Sequence, residues 1–217
     1  MRHAYDSSSS AVRVSAISAI MILLDAPHTH AVLRALLPQL GNLIHDKVER
    51  VRLAAVKMLI CVKKVKDIKF YHVVPVDHLL ARLVAEGEHS HGQSGSPVIT
   101  ALTELLLNSY FPQGDNVTGS LQVQRTLSFL ASDPIAASIF YSNVCTRLSV
   151  NSIAKLIAMI MKCLNAAIKA NEDSKAESTR NHKGGTSLIA SNTKLMASMT
   201  DTIIKLWETV SLQCVRQ

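Results

Sequence analysis

A dense cluster of basic side chains between residues 47 and 69 is the feature of the sequence best suited to chemistry. Only Glu49 and Asp67 oppose it. Basic groups at this density can contact nucleic-acid phosphates, an interaction that is independent of base sequence and weakened by salt. The alternative is a solvated helix face that keeps the protein soluble. Arg52 belongs to the cluster but is assigned a structural role below. The other members are candidate DNA contacts: Lys47, Arg50, Lys57, Lys63, Lys64, Lys66 and Lys69.

The spacing of apolar residues from 47 to 64 predicts a helix that positions these groups. At 100° per residue, one apolar side faces the core. Its members are Val51, Ala55, Leu59 and Val62. Leu53 and Ile60 lie nearly opposite, as expected for a helix packed between two neighbours. Arg50, Lys57 and Lys64, seven residues apart, are left as a narrow charged line.

Signatures of catalysis and metal binding are absent from the sequence. It has no nucleophile elbow, no phosphate-binding glycine loop and no zinc-protease motif. His28-x-His30 and His89-x-His91 are the closest histidine pairs, and neither has cysteines or carboxylates at zinc spacing. We therefore expect no metal ion, no cofactor and no small-molecule substrate, and a helical enzyme is the least favoured class.

Two short motifs suggest regulation. Ser96-Pro97 follows a polar segment, 86–95, that we interpret as a loop, and it is a possible site for a proline-directed kinase. The run from Lys63 to Lys66 resembles a nuclear-import patch, although such short basic runs are common.

The composition favours an all-helical fold. The chain has 217 residues, of which 48% are apolar but only 4% aromatic, with 8 Gly and 6 Pro. Sheets are richer in aromatic and β-branched residues and need more turns. The net charge of +7 suggests a polyanionic partner. The four cysteines lack metal or disulfide spacing and are typical of a reducing intracellular compartment.

The sequence carries no signal peptide and no apolar run long enough to cross a membrane, so we expect no membrane association. It opens almost directly on a helical pattern. The chain therefore reads as a fragment, or as a gene model that begins inside a longer protein.

An internal repeat organises the first part of the chain. The pattern Val-Arg-x-x-Ala-x-x-x-Ile/Leu begins at residue 12 and again at residue 51, an offset of 39. The second copy adds Pro38 and Asp46 ahead of Val51 and Arg52. This set resembles the HEAT motif, in which a proline bends the first helix, an aspartate lies in the turn and Val-Arg opens the second helix.

Each residue of that motif has a physical role. Pro38 removes a backbone donor and is expected to kink its helix. Asp46 is expected to cap the next helix. Arg52 is placed where Asp–Arg pairs form a ladder between stacked repeats.

The fold predicted from these observations is an all-α solenoid of HEAT-type antiparallel helix pairs, because one pair alone cannot bury its apolar face. Further helices are predicted at 68–84, broken near Pro75, and at 97–110, 119–131 and 134–148. We expect a solenoid over 1–172, a polar disordered loop over 173–186 and a further helix over 187–217.

Three stretches carry a more specific resemblance. Residues 43–71, 76–83 and 153–166 resemble the G-type non-SMC HEAT-repeat subunits of condensin II, and the likeness runs in order over roughly 9–172. The resemblance implies a non-catalytic regulatory subunit in the nucleus, on chromosomes. It would bind the kleisin and SMC subunits and double-stranded DNA during mitotic chromosome condensation.

Other HEAT adaptors remain open at this point, such as a nuclear-transport receptor or a phosphatase scaffold. A transport receptor typically has an acidic inner face, so the charge of +7 argues mildly against it. Because HEAT repeats alone name no function, the partner rests on the family resemblance.

Overall fold

The computed structural model of the protein describes residues 2–6, 8–89, 96–114, 116–144, 148–178 and 186–215. These residues form helices joined by turns, and no strand occurs among them, so the predicted all-helical class is confirmed. The α-helices are α1 Ser10–Leu24, α2 His30–Leu36, α3 Glu49–Lys64, α4 Phe70–Val73, α5 Val76–His89, α6 Pro97–Tyr110, α7 Gly119–Ser132, α8 Pro134–Val144, α9 Val150–Ser178 and α10 Thr186–Val215.

The chain divides into two compact units, 1–106 and 107–217, so the boundary falls inside α6. The boundary also falls inside residues 1–172, for which the sequence predicts one continuous solenoid.

In the first unit, α1 packs mainly against α3. Ser9 begins α1 by accepting a hydrogen bond from Val12 N at 3.4 Å. Ile17 and Leu59 are fully buried, as expected for the facing apolar sides of two amphipathic helices.

The segment before α3 breaks at the predicted proline. α2 ends at Leu36, and the backbone continues as a 3₁₀ helix over Leu37–His45, with Pro38 in its first turn. Pro38 lacks the N–H that a continuing α-helix needs, so the helix is split in two instead of being kinked. The 3₁₀ helix contributes Leu40 and Ile44 to the core beneath α3.

The break at Pro75 is confirmed, because α4 ends at Val73 and α5 begins at Val76. The predicted loop over 86–95 is wrong at its start. α5 continues through His89, and Glu86 is 4% exposed. The charge of Glu86 made the segment read as a loop, but two arginines satisfy its carboxylate. Residues 90–95 lie outside the described part of the chain.

In the second unit, α10 packs against α7, α8 and α9. The core between α7 and α8 is aromatic. Phe129 and Tyr110 stack with their ring centroids 3.7 Å apart, and Phe140 meets both edge-on. Tyr141 is fully buried and donates a hydrogen bond to the carbonyl of Tyr110 at 3.2 Å.

The last two helices are longer than the sequence predicts. α9 runs to Ser178, so residues 173–178 are helical where a disordered loop is predicted, and α10 begins at Thr186. Residues 173–178 are mostly polar, so they show no apolar periodicity in the sequence. Lys175, Ala176 and Glu177 nevertheless have good helix propensity, which allows α9 to continue. The rest of the predicted loop, 179–185, lies outside the described residues.

Within the described residues no single helix is long and apolar enough to cross a membrane. α1 taken together with Pro27–His45 passes on length and composition, but the two are bent by 111°.

Candidate nucleic-acid interface

The helix predicted to carry the basic cluster is α3, and its predicted sides are confirmed. The core-facing residues, Val51, Ala55, Leu59 and Val62, are all at most 1% exposed. Leu53 and Ile60, on the opposite flank, are half-buried. The exposed part of α3 is therefore a narrow stripe that contains Arg50, Lys57 and Lys64.

Five lysines form an exposed surface on α3 and on the turns at its two ends. We call this set the basic ridge. Each is exposed, and within the described residues no hydrogen bond or ion pair holds its ammonium group. Free ammonium groups can turn toward a polyanion without first losing a protein partner. The members are Lys47, Lys57, Lys64, Lys66 and Lys69.

Two of the predicted DNA contacts, Lys63 and Arg50, make hydrogen bonds within the protein. Lys63 is half-buried and its Nζ donates to the carbonyl of Leu105 in α6 at 2.7 Å. Burial lowers the pKa of Lys63, while the charge of Glu104 opposes that change. Arg50 donates from Nε to Ser10 Oγ at 3.1 Å, which links the first turns of α3 and α1. Both side chains thus hold helices together.

Asp46 connects the two repeat copies. Its carboxylate pairs with Arg13 of α1, with 2.9 Å between Arg13 Nε and Asp46 Oδ2. It also accepts a hydrogen bond from Val48 N at 2.8 Å. The predicted cap is wrong, because Val48 is the N-cap residue of α3 and no side chain caps that helix. Asp46 instead closes the turn before α3 and orients its carboxylate toward Arg13.

Arg52 repeats the arrangement one helix pair later. Arg13 donates to the carbonyl of Asp6 at 2.6 Å, and Arg52 donates to the carbonyl of Asp46 at 2.9 Å. Arg13 pairs with the carboxylate of Asp46, and Arg52 pairs with that of Glu86 at 2.5 Å. The two arginines therefore make equivalent bonds. Each donates to the carbonyl of the aspartate just before its own helix, and each pairs with the carboxylate of the acidic residue forty positions after that aspartate.

Glu86 stays ionised despite its burial. Burial raises its pKa, but hydrogen bonds and charge from Arg52, with hydrogen bonds from Arg82 and Ser96, outweigh that effect and lower the pKa overall. Arg82 lies one turn earlier in α5, with its Nη1 3.3 Å from Glu86 Oε1. α3 is thereby held between Asp46 and Glu86, and its basic stripe is fixed in the outward orientation.

Comparison with known proteins agrees with the resemblance seen in the sequence. The chain is 33% identical over 212 residues to "Condensin-2 complex subunit G2" of Danio rerio, which is 95% of this chain and 18% of that protein. The subunit of the same name from Homo sapiens is 32% identical over 216 residues, again 95% of this chain and 18% of that protein.

The chain is similar, along nearly all its length, to a segment of condensin-2 complex subunit G2. This similarity confirms the predicted family resemblance. The relative from Xenopus laevis is 36% identical over 165 residues, which is 76% of this chain and 13% of that protein. The chain thus spans less than a fifth of the length of the curated relatives it matches. No family model and no solved structure matches it.

The sequence pattern did not predict that Glu86 takes part in the repeat that contains Asp6 and Asp46. A signal was present, because Asp6, Asp46 and Glu86 are spaced forty residues apart. The repeat pattern was built from Val-Arg pairs and apolar positions, and it did not extend to the acidic residue that follows each copy.

A second row of exposed lysines was also missed. Lys155, Lys162 and Lys169 lie seven residues apart on α9 and all are exposed. The row has the spacing of the α3 stripe and provides a matched control for it.

The histidines that the sequence analysis considered as metal ligands are not grouped into a site within the described residues. Within the described residues, no three His, Cys, Asp or Glu side chains are grouped for a metal ion. The side chain of His89 and all of His91 lie outside that part of the chain. A groove of about 600 Å³ between α1 and α2 is lined almost entirely by apolar side chains, with His3 and His28 among its lining residues.

Proposed function

We propose that this chain is a non-catalytic scaffold segment of a condensin II subunit, which binds DNA phosphates through the basic ridge. Five exposed lysines carry the proposal, since no side chain or carbonyl in the described part of the chain bonds their ammonium groups. On a helix, Lys57 and Lys64 are separated by about 10 Å, so one face reaches several phosphates of a duplex. The contact would be salt-sensitive and independent of base sequence.

We further propose that the fold is a HEAT-type solenoid over 1–172. The 39-residue repeat supports it, as do the equivalent bonds of Arg13 and Arg52. In a solenoid each helix pair covers its neighbour, and interhelix ion pairs fix the angle between successive pairs. Pro38, Asp46, Val51 and Arg52 would then be the structural residues of one repeat.

The partners proposed here follow from the curated relatives, whose name places them in a condensin complex. This chain would bind the kleisin and SMC subunits, and act in chromosome condensation and segregation in the nucleus. The basic run from Lys63 to Lys66 would be its import signal. ATP hydrolysis would belong to the SMC subunits, since no sequence motif here binds a triphosphate.

Salt-dependent DNA binding tests the ridge. We expect Lys57→Glu, Lys64→Glu and Lys66→Glu together to weaken binding to a random-sequence duplex at least tenfold. Each lost phosphate contact should also lower the slope of log K against log salt by about 0.9. Fluorescence anisotropy at several salt concentrations measures both quantities.

The matched control reverses Lys155, Lys162 and Lys169 together. It makes the same change in net charge with three exposed lysines that lie seven residues apart on α9. Equal losses in the two triple variants would mean that net charge alone drives binding, and the ridge would be rejected as a site. For the complex, co-purification from cells without SMC and kleisin subunits would reject the condensin assignment.

A further inference from the structure

Ser96 lies in a cluster of charged side chains that α3, α5 and α6 bring together. Its Oγ is 3.2 Å from Glu49 Oε1 and 3.2 Å from Glu86 Oε2. The same oxygen accepts a hydrogen bond from Val98 N at 3.2 Å. Ser96 therefore caps α6 and links its first turn to the start of α3 and to α5.

The charges of this cluster balance while the hydroxyl is unmodified. Arg52 and Arg82 bind the carboxylate of Glu86, whose side chain is 5% exposed, and Glu49 is the second acidic neighbour. The hydroxyl proton of Ser96 is donated to one of these carboxylates. A carboxylate buried to this degree is costly without its cationic partners.

Ser96 is also the one Ser or Thr of the sequence that precedes a proline. Pro97 is the first residue of α6, and Ser96 lies outside the helix, half-buried. A proline disfavours the helical conformation of the residue before it.

We propose that Ser96 is a phosphorylation site for a proline-directed kinase, and that the phosphate loosens the attachment of α6 to α3 and α5. In this step the γ-phosphoryl group of ATP is transferred to Ser96 Oγ, the hydroxyl proton passes to the kinase's general base, and ADP leaves.

The effect of the phosphate follows from its charge. It adds a charge of about −1.5 to −2 and replaces a donor with acceptor oxygens that face two carboxylates. It competes with Glu86 for Arg52 and Arg82, so one of the anions loses its partners. At its other end α6 is still held by the bond from Lys63 to the carbonyl of Leu105. The loosening therefore begins at the first turn of α6.

The test uses the full chain, a proline-directed kinase and magnesium ATP. We expect intact-mass spectrometry to show one phosphate, which Ser96→Ala abolishes. Phosphorylation should lower Tm by about 4 °C or more, and should increase hydrogen exchange at residues 97–110. With Glu86→Gln as the background, the fall in Tm should be at most half as large, because the opposing buried charge has been removed.

Glu49→Gln provides a second background that is safe for folding, because Glu49 is exposed. It too should reduce the effect of the phosphate. The proposal would be overturned if the kinase failed to modify the folded chain, if Tm were unchanged or raised, or if the fall in Tm were as large in both neutralised backgrounds as in the unmutated chain. This inference does not depend on DNA binding, because its measurements contain no DNA.

Discussion

Each of the two units of the chain is stabilised internally by a different kind of interaction. In residues 1–106, arginine–carboxylate pairs join successive helices, as in Arg13 with Asp46 and Arg52 with Glu86. In residues 107–217, the helices meet through stacked and edge-on rings centred on Phe129. An ion pair needs two specific residues at a fixed spacing, whereas an apolar core accepts many residues of similar volume. The first kind of packing therefore leaves a repeat in the sequence, and the second does not.

The largest effect is expected from the aromatic cluster. Phe129 is fully buried among three other rings, and Phe129→Ala removes those contacts and leaves a cavity. We expect a loss of about 4 kcal/mol in the free energy of unfolding. Hydrogen exchange should increase first in α7 and α8. Phe129→Leu keeps most of the volume and should cost less than half as much; equal losses would mean that ring packing is not what stabilises this unit.

The ion pairs of the first unit should make its free energy of unfolding depend on pH. The folded state lowers the pKa of Glu86, so its contribution is present above the unfolded pKa of about 4.3 and is lost as pH falls through the folded pKa. Glu86→Gln should cost about 2 kcal/mol at pH 7, and stability should then fall less steeply below pH 4.5.

Urea unfolding from pH 3 to pH 7 measures this difference. Glu88→Gln is the control, because it changes an exposed residue of the same helix. Identical pH profiles for the Glu86 and Glu88 variants would contradict the role of the arginine pairs.

The contrast between the units also explains what the sequence could predict. Helix positions followed from apolar periodicity, and the sides of α3 were correct to the residue, because burial of one face is a local pattern. Glu86 was misassigned, because a buried carboxylate is recognisable only once Arg52 and Arg82 are seen around it. The hydrogen bond of Lys63 could not be predicted either, because its partner is a backbone carbonyl in α6, 42 residues away.

Two glycines, one in each unit, differ in the space around their α-carbons. A Cβ at Gly41 would lie 2.6 Å from the carbonyl oxygen of Val73, a backbone atom that cannot move aside cheaply. Gly41→Ala should therefore destabilise the chain by about 2 kcal/mol. At Gly119, the first residue of α7, nothing lies within 4 Å of the added carbon.

Gly119→Ala should accordingly be neutral or stabilise by about 0.5 kcal/mol, since alanine restricts the unfolded chain. Thermal unfolding of the two variants side by side measures the difference. Equal effects would show that the close approach of the 3₁₀ helix to α4 is not tight.

The smallest loss of stability is expected at two matched helix caps, one in each unit. Ser9 Oγ accepts from Val12 N at 3.4 Å, and Thr118 Oγ1 accepts from Leu121 N at 3.3 Å. Each change to alanine should cost about 1 kcal/mol, because one N–H of the first turn loses its acceptor. Ser9→Thr and Thr118→Ser keep an oxygen at the cap and should preserve most of the stability.

The two caps differ in what surrounds them, which makes the pair informative. The N–H of Ser9 is itself bound by Asp6 Oδ1 at 2.8 Å, and Arg13 holds the carbonyl of Asp6, so this cap belongs to the network that continues to Asp46. Thr118 accepts only from its own first turn among the bonds of the described residues. The loss at Ser9 should therefore shrink in an Arg13→Met background, whereas the loss at Thr118 should be the same in both backgrounds. A double-mutant cycle measures the two couplings, and equal values would remove the distinction between a unit linked by charge and a unit packed by rings.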